Sequence, residues 1–212
     1  MKNKSIINGL RDLEDLGKEG VWYVVFGSLI PAALNRAPHR SINDIDVLAL
    51  AGDVEKIREF LRERGYEGDF VSPPRRLGFQ WLELHKGDIE IAICFGGLEK
   101  NGGWRMPLKY GFSAYLSLDT LGPRQYILDG VCFPGLPPET AYLILSIFSQ
   151  IYSHPKRRDD LVPFQGNLDQ HLLEKIRNSN TGVWFLRLSL PTEKIITLGA
   201  RMRNIVSRKN ER

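Results

Sequence analysis

Phe26-Gly27-Ser28, followed fifteen residues later by Asp44-Ile45-Asp46-Val47, is the stretch that decides the fold. Val21–Phe26 is a continuous run of apolar, β-branched and aromatic residues and reads as a buried strand. Gly27-Ser28 ends it. Ser28 is placed to cap a short helix over Leu29–Asn35, with Pro31 tolerated in its first turn. Ala37–Asn43 is a polar connection, and Ile45–Ala51 reads as a second strand. Asp44 and Asp46 stand at its start, and the period of two sets both carboxylates on one face with Ile45 and Val47 on the other. Two carboxylates so placed repel each other, and a divalent cation relieves the repulsion. Hard oxygen donors suit Mg²⁺, or Mn²⁺ in its place, with remaining ligands taken from water and substrate phosphates. Gly27 leaves room for close approach of a phosphate, and the helix opening at Ser28 offers free backbone N–H groups.

A third acid follows. Glu90 interrupts the apolar run Ile89–Cys94, and an acid inside such a strand is paired or metal-bound. If that run pairs beside Ile45–Ala51, Glu90 faces the same centre. Asp88 shares its parity but belongs to the turn Gly87-Asp88 of a hairpin joining Gly78–Lys86 to Ile89–Cys94.

This order of elements resembles the nucleotidyltransferase superfamily that includes DNA polymerase β: strand, Gly-Ser, short helix, Asp-hydrophobic-Asp, then a third acid on a later strand. Arg40-Ser41-Ile42-Asn43-Asp44-Ile45-Asp46 looks like the Arg-x-Thr-x-Asp-hydrophobic-Asp block of small prokaryotic AbiEii-like nucleotidyltransferases. Pro138-Glu139 opening a helix, with Pro155-Lys156-Arg157-Arg158-Asp159-Asp160-Leu161 after it, looks like their later segment. The resemblance implies an α/β fold, a small mixed sheet with flanking helices followed by a helical C-terminal half. It implies metal-dependent transfer of a nucleoside monophosphate from an NTP to a hydroxyl. Asp44, Asp46 and Glu90 would then be the metal-binding and catalytic acids. Gly27, Ser28, Arg40, Lys156 and Arg157 would hold the nucleotide. Resemblance to toxin-type members makes an RNA or tRNA end the favoured acceptor, with a small polyol or a protein hydroxyl as others, and adds a cognate antitoxin as a partner. The third acid is Glu rather than the commoner Asp, and the gap from Ser28 to Asp44 is long, so a non-catalytic nucleotide- or partner-binding module is the alternative. Arg40 has two readings, pairing with Asp44 or Asp46 or reaching a phosphate.

The rest of the chain bounds these readings. Its 212 residues are 42% hydrophobic and 25% charged, an ordinary globular composition. No apolar run approaches the ~20 residues a membrane span needs, no signal peptide is read at the N-terminus, and the expected location is the cytoplasm. Two cysteines, Cys94 and Cys132, make neither a disulfide framework nor a four-ligand zinc site. The net charge of +4 is uneven: residues 171–212 carry nine Lys/Arg against three Glu, the remainder 20 against 22. A basic C-terminal segment suits a polyanionic partner. No Walker phosphate loop occurs. The acids precede the apolar run Val47–Leu50, which argues against a haloacid-dehalogenase-type phosphatase.

Ile6, Ile7, Leu10, Leu13 and Leu16 predict a first helix stopped at Gly17 and Gly20. Asp53 is placed to cap a helix from Val54 to about Arg64. Gly96–Gly111 reads as a long surface loop in which Trp104 anchors or stacks on a base. Asp129-Gly130 marks a second hairpin, Glu139–Tyr152 a strong helix, the residues after Asn167 another, and Glu193–Ser207 a last one capped by Thr192. The division falls near residue 136, with a catalytic domain over 1–135 and a helical region over 136–212. His39, His85, His154 and His171 show no ligand spacing.

Overall fold

A computed structural model describes residues 2–38, 40–71, 81–107, 112–152, 159–178, 182–185 and 188–189. Helix α1 (Lys2–Lys18) leads into β1 (Tyr23–Phe26), the short α2 (Leu29–Leu34) and β2 (Asp44–Leu50). After α3 (Val54–Glu63) come β3 (Glu67–Val71), β4 (Trp81–Lys86) and β5 (Ile89–Leu98). Next are β6 (Trp104–Pro107), β7 (Phe112–Leu116), α4 (Leu118–Leu121), β8 (Arg124–Leu128) and β9 (Val131–Gly135). The chain continues through α5 (Pro138–Tyr152), α6 (Gln170–Arg177), β10 (Gly182–Phe185) and β11 (Leu188–Ser189).

The sheet is mixed, as expected. It is larger than the small sheet the sequence suggested, with eleven strands among the described residues, in the order β11-β10-β7-β6-β5-β2-β1-β9-β8 and with β4 and β3 branching from β5. Strand β5 is the hub. Along one edge it pairs in parallel with β2, Asp44 opposite Glu90 through Leu50 opposite Gly96. Its other edge takes β4 over Ile89–Cys94 and then β6 at Gly97 and Leu98, both antiparallel. Strand β1 runs antiparallel to β2, with Phe26 opposite Asp46.

The apolar face of α1 buries Ile6, Ile7, Leu10, Leu13 and Leu16, each at 7% exposure or less, at about 1.5–3 kcal/mol per large aliphatic side chain. It packs on the sheet face that carries Ile45 and Ile89, so closely that a Cβ at Gly9 would stand 2.7 Å from Ile45 Cδ1. Gly20, at φ +80°, follows α1 in the left-handed region that a glycine adopts without strain. Because side chains alternate along a strand, the opposite face of β2 and β5 points away from α1. That face holds the acids.

Four readings of the sequence need correction. Gly96–Gly111 is not a loop: β5 runs on to Leu98, and β6 pairs with β5 and with β7. Its glycines serve packing, since a Cβ at Gly96 would overlap the Trp104 ring and one at Gly103 the Tyr115 ring. Trp104 is 1% exposed and is an anchor, closed to a nucleotide base. The C-terminal half is not wholly helical, because β10 joins β7 and β11 joins β10. Neither Ser28 nor Asp53 caps with its side chain; Ser28 already has helical dihedrals, φ −71° and ψ −13°, whereas a capping residue needs extended backbone. Among the described residues Asp169 does cap a helix, its Oδ1 accepting from the Leu172 N–H at 3.1 Å. The helix predicted over Glu193–Ser207 lies outside the described residues.

Both predicted hairpins are present. Asp129 and Gly130 have φ of +47° and +79°, the pair of left-handed residues a two-residue β-turn of type I′ requires. Among the described residues no helix is long and apolar enough to cross a membrane.

Candidate active site

Asp44 and Asp46 open β2 and are half-buried, while Ile45 and Val47 between them are buried. The alternation places both carboxylates on the face turned away from α1. The parallel register sets Glu90 directly beside Asp44 and Ala92 beside Asp46, so Glu90 shares that face. The Glu90 N–H donates to the Asn43 carbonyl at 3.1 Å and holds the start of β5 against the entry to β2.

At the end of β1, Gly27 has φ +73°. A Cβ there would collide with the Asp46 carboxylate, first with Oδ2. The position therefore requires glycine twice, for its backbone and for the carboxylate lodged against it. Ser28 is 6% exposed. Cys94 is on the same face two residues beyond Ala92; burial pushes its thiol well above the ordinary range, and the Asp46 charge adds to the shift.

Arg40 precedes β2 and makes a bidentate pair with a residue 120 positions away. Nε donates to Asp160 Oδ1 at 2.8 Å and Nη2 to Asp160 Oδ2 at 3.0 Å, while Nη1 donates to the Ser41 carbonyl at 2.9 Å. The Asp160 side chain is 2% exposed and that of Arg40 27%. The hydrogen bond to Asp160 raises the Arg40 pKa most, desolvation opposes it, and the charges of Asp160, Asp44 and Asp46 add to the rise. The sequence reading that paired Arg40 with Asp44 or Asp46 is thus corrected. The salt bridge is with Asp160, and the two β2 acids act on Arg40 through their charge. Lys156 and Arg157, read as nucleotide ligands, lie outside the described residues, as do His39 and His154.

The donors suit a hard divalent cation in kind: carboxylate oxygens on adjacent strands and on one face. Among the described residues no three His, Cys, Asp or Glu side chains gather at a single metal-binding point. Glu90 Oε2 lies 3.9 Å from His85 Nδ1, its cross-strand neighbour on β4. The Glu90 side chain is half-exposed.

Sequence reasoning missed Asp160, because adjacency in the fold joins Arg40 to a residue far along the chain. It also missed the company on this face. Glu83 and Asp69 continue the rung of Asp46, and His85 and Glu67 continue the rung of Asp44 and Glu90. Asp88 is an exposed turn residue, as expected.

No protein-family model matches the chain, and no curated protein matches its sequence. Solved structures do match. The lincosamide antibiotic adenylyltransferase LnuA, bound to lincomycin, aligns with a TM-score of 0.58 and 17% identity over 74% of this chain and 93% of that one. The antibiotic-resistance factor ANT(2'')-Ia aligns with a TM-score of 0.59 and 10% identity over the full length of both chains. The Thermotoga maritima protein TM1012, assigned as a nucleotidyltransferase, aligns with a TM-score of 0.51 and 22% identity over 75% of this chain and 94% of that one. The fold of this chain is the nucleotidyltransferase fold.

Proposed function

We propose that the chain is a metal-dependent nucleotidyltransferase that moves a nucleoside monophosphate from an NTP to a hydroxyl acceptor. The observation that carries the reading is the parallel pairing of β2 with β5, which sets Asp44, Asp46 and Glu90 side by side on one open face. Asp44 and Asp46 would hold two Mg²⁺ or Mn²⁺ ions, and Glu90 would complete the second site. When bound, the cations supply Lewis-acid stabilisation of the charge that gathers on the transferred phosphoryl group and the leaving pyrophosphate. Gly27, against which the Asp46 carboxylate is lodged, and Ser28 with its neighbouring amides would hold the β- and γ-phosphates. Arg40, with Lys156 and Arg157, adds positive charge toward the triphosphate. Glu90 orients the acceptor hydroxyl and accepts its proton.

The basic segment 171–212 favours an RNA acceptor, such as a tRNA end, and an AbiEii-like protein of this kind would have a cognate antitoxin. A second acceptor class has its own support. The rungs beyond the three acids carry Glu83, Glu67 and Asp69, the last paired with Arg58 at 3.3 Å, and this acid-rich stretch suits a small amine-bearing polyol better than a polyanion. The neighbours that act on antibiotics fit that class.

The test is incubation with each α-³²P-labelled NTP and Mg²⁺ or Mn²⁺, offering total tRNA in one arm and a panel of aminated polyols in the other, for wild type and Asp46→Asn. Label transferred by wild type and lost by the variant is the expected result, and the arm that gains label names the acceptor. Asp46-dependent NTP binding with no transfer to any acceptor would replace the enzyme with a nucleotide-binding module. Asp46→Asn with full activity would end the proposal.

A further inference from the structure

A guanidinium at position 40 feels two kinds of carboxylate. Asp44 and Asp46 follow it by four and six residues, and their charges act on it. Asp160 comes from the far end of the described chain, and its carboxylate takes both Nε and Nη2. A bidentate arginine–carboxylate pair is among the strongest polar contacts a protein makes. An arginine left without Asp160 would form it with Asp44 or Asp46, and a carboxylate so occupied competes poorly for a metal.

We propose that Asp160 is a positioning residue that sequesters Arg40 from the metal-binding acids. Resting on the reading of Asp44 and Asp46 as metal ligands, it assigns Asp160 a task that chemistry at the reacting atoms does not require. The near-complete burial of the Asp160 side chain strengthens its pair with Arg40, because little water competes for the carboxylate. The third bond, Nη1 to the Ser41 carbonyl, fixes the guanidinium plane against the backbone that leads into β2. Arg40 thereby keeps its charge close enough to attract a triphosphate while its hydrogen bonds are spent elsewhere.

The test is direct binding of Mn²⁺ without nucleotide, read as free Mn²⁺ by electron paramagnetic resonance, with folding checked by circular dichroism. Wild type should bind and Asp46→Asn should bind far more weakly. Asp160→Asn should bind about 10- to 100-fold more weakly than wild type, the range one charge-assisted hydrogen bond spans. The double variant Arg40→Gln/Asp160→Asn should return to the affinity of Arg40→Gln alone, which should be no weaker than wild type. Thermal melts of the same variants separate this from a merely structural clasp, whose loss and rescue would appear in Tm while the Mn²⁺ affinity of the folded protein stayed at the wild-type value. Asp160→Asn with wild-type affinity, or a double variant as weak as the single, would overturn the proposal. If Asp160→Asn does not fold, Arg40→Gln decides, because weaker Mn²⁺ binding than wild type in that variant contradicts sequestration. Absence of Mn²⁺ binding in wild type and Arg40→Gln alike would instead defeat the metal reading of Asp44 and Asp46.

Discussion

Replacing Gly27 by alanine tests whether the end of β1 and the Asp46 carboxylate form one site. Two costs arise at the same atom. The backbone at φ +73° is left-handed, which costs a non-glycine residue about 1–2 kcal/mol. For a chain of this length that lowers Tm by about 2–8 °C. The added Cβ also occupies the space of Asp46 Oδ2, so the carboxylate must turn away. Only this second cost reaches the chemistry, and metal affinity should fall about 10–100-fold, as when the supporting contacts of a metal ligand are lost. Gly130 supplies the control. Its φ of +79° makes Gly130→Ala bear the same backbone strain, yet nothing lies within 4 Å of a Cβ there. Thermal melts and Mn²⁺ titrations of both variants separate the terms. Both should lose similar stability, and only Gly27→Ala should lose Mn²⁺ and nucleotidyl transfer. Equal metal affinities in the two variants would refute the coupling of Gly27 to Asp46.

Three further outcomes follow from burial. In native protein a thiol reagent should modify the exposed Cys132 and spare Cys94, with both reacting after denaturation; rapid modification of two thiols in the native state would contradict the packing. Burial holds the Cys94 thiol and the Tyr23, Tyr66 and Tyr126 phenols protonated above their ordinary pKa values. Their contribution to stability is complete below the unfolded values and is lost as pH rises, from about 8.5 for the thiol and about 10 for the phenols, so melts should show falling Tm above pH 8.5. Trp104→Ala should cost about 3–5 kcal/mol and leave NTP affinity unchanged; loss of NTP binding in a folded variant would return Trp104 to the nucleotide.

Much of the site was legible because its residues are close in sequence or obey a short period. Asp44 and Asp46 fall on one face by alternation alone, and the apolar run around Glu90 marks it as a strand acid. The turns at Gly87-Asp88 and Asp129-Gly130 state their own geometry. What stayed hidden depends on distant partners. Arg40 finds Asp160 only when the chain has folded, and no local pattern distinguishes that carboxylate from Asp44. Strand β6 escaped notice because glycines at 96, 97, 102 and 103 resemble a loop, although Gly96 and Gly103 make room for aromatic rings. Strand β3, Glu-Gly-Asp-Phe-Val, has weak strand propensity and owes its place to pairing with β4. Ser28 was misread for the opposite reason: a favourable residue type outweighed the backbone angle that decides whether a cap forms.

The parallel pairing of β2 and β5 also bears on how the chain avoids misfolding. A slip of β2 by one residue would turn Asp44 and Asp46 toward α1 and Ile45 and Val47 away from it, and the same slip of β5 would do so to Glu90 and to Ile89 and Ile91. Each acid moved inward would lose its hydration without gaining a partner. The carboxylates therefore act as sentinels of alignment, penalising the nearest wrong structure before any substrate arrives. Neutral variants of these acids would remove the proposed metal ligands and at the same time narrow the free-energy gap between the correct sheet and its shifted rival.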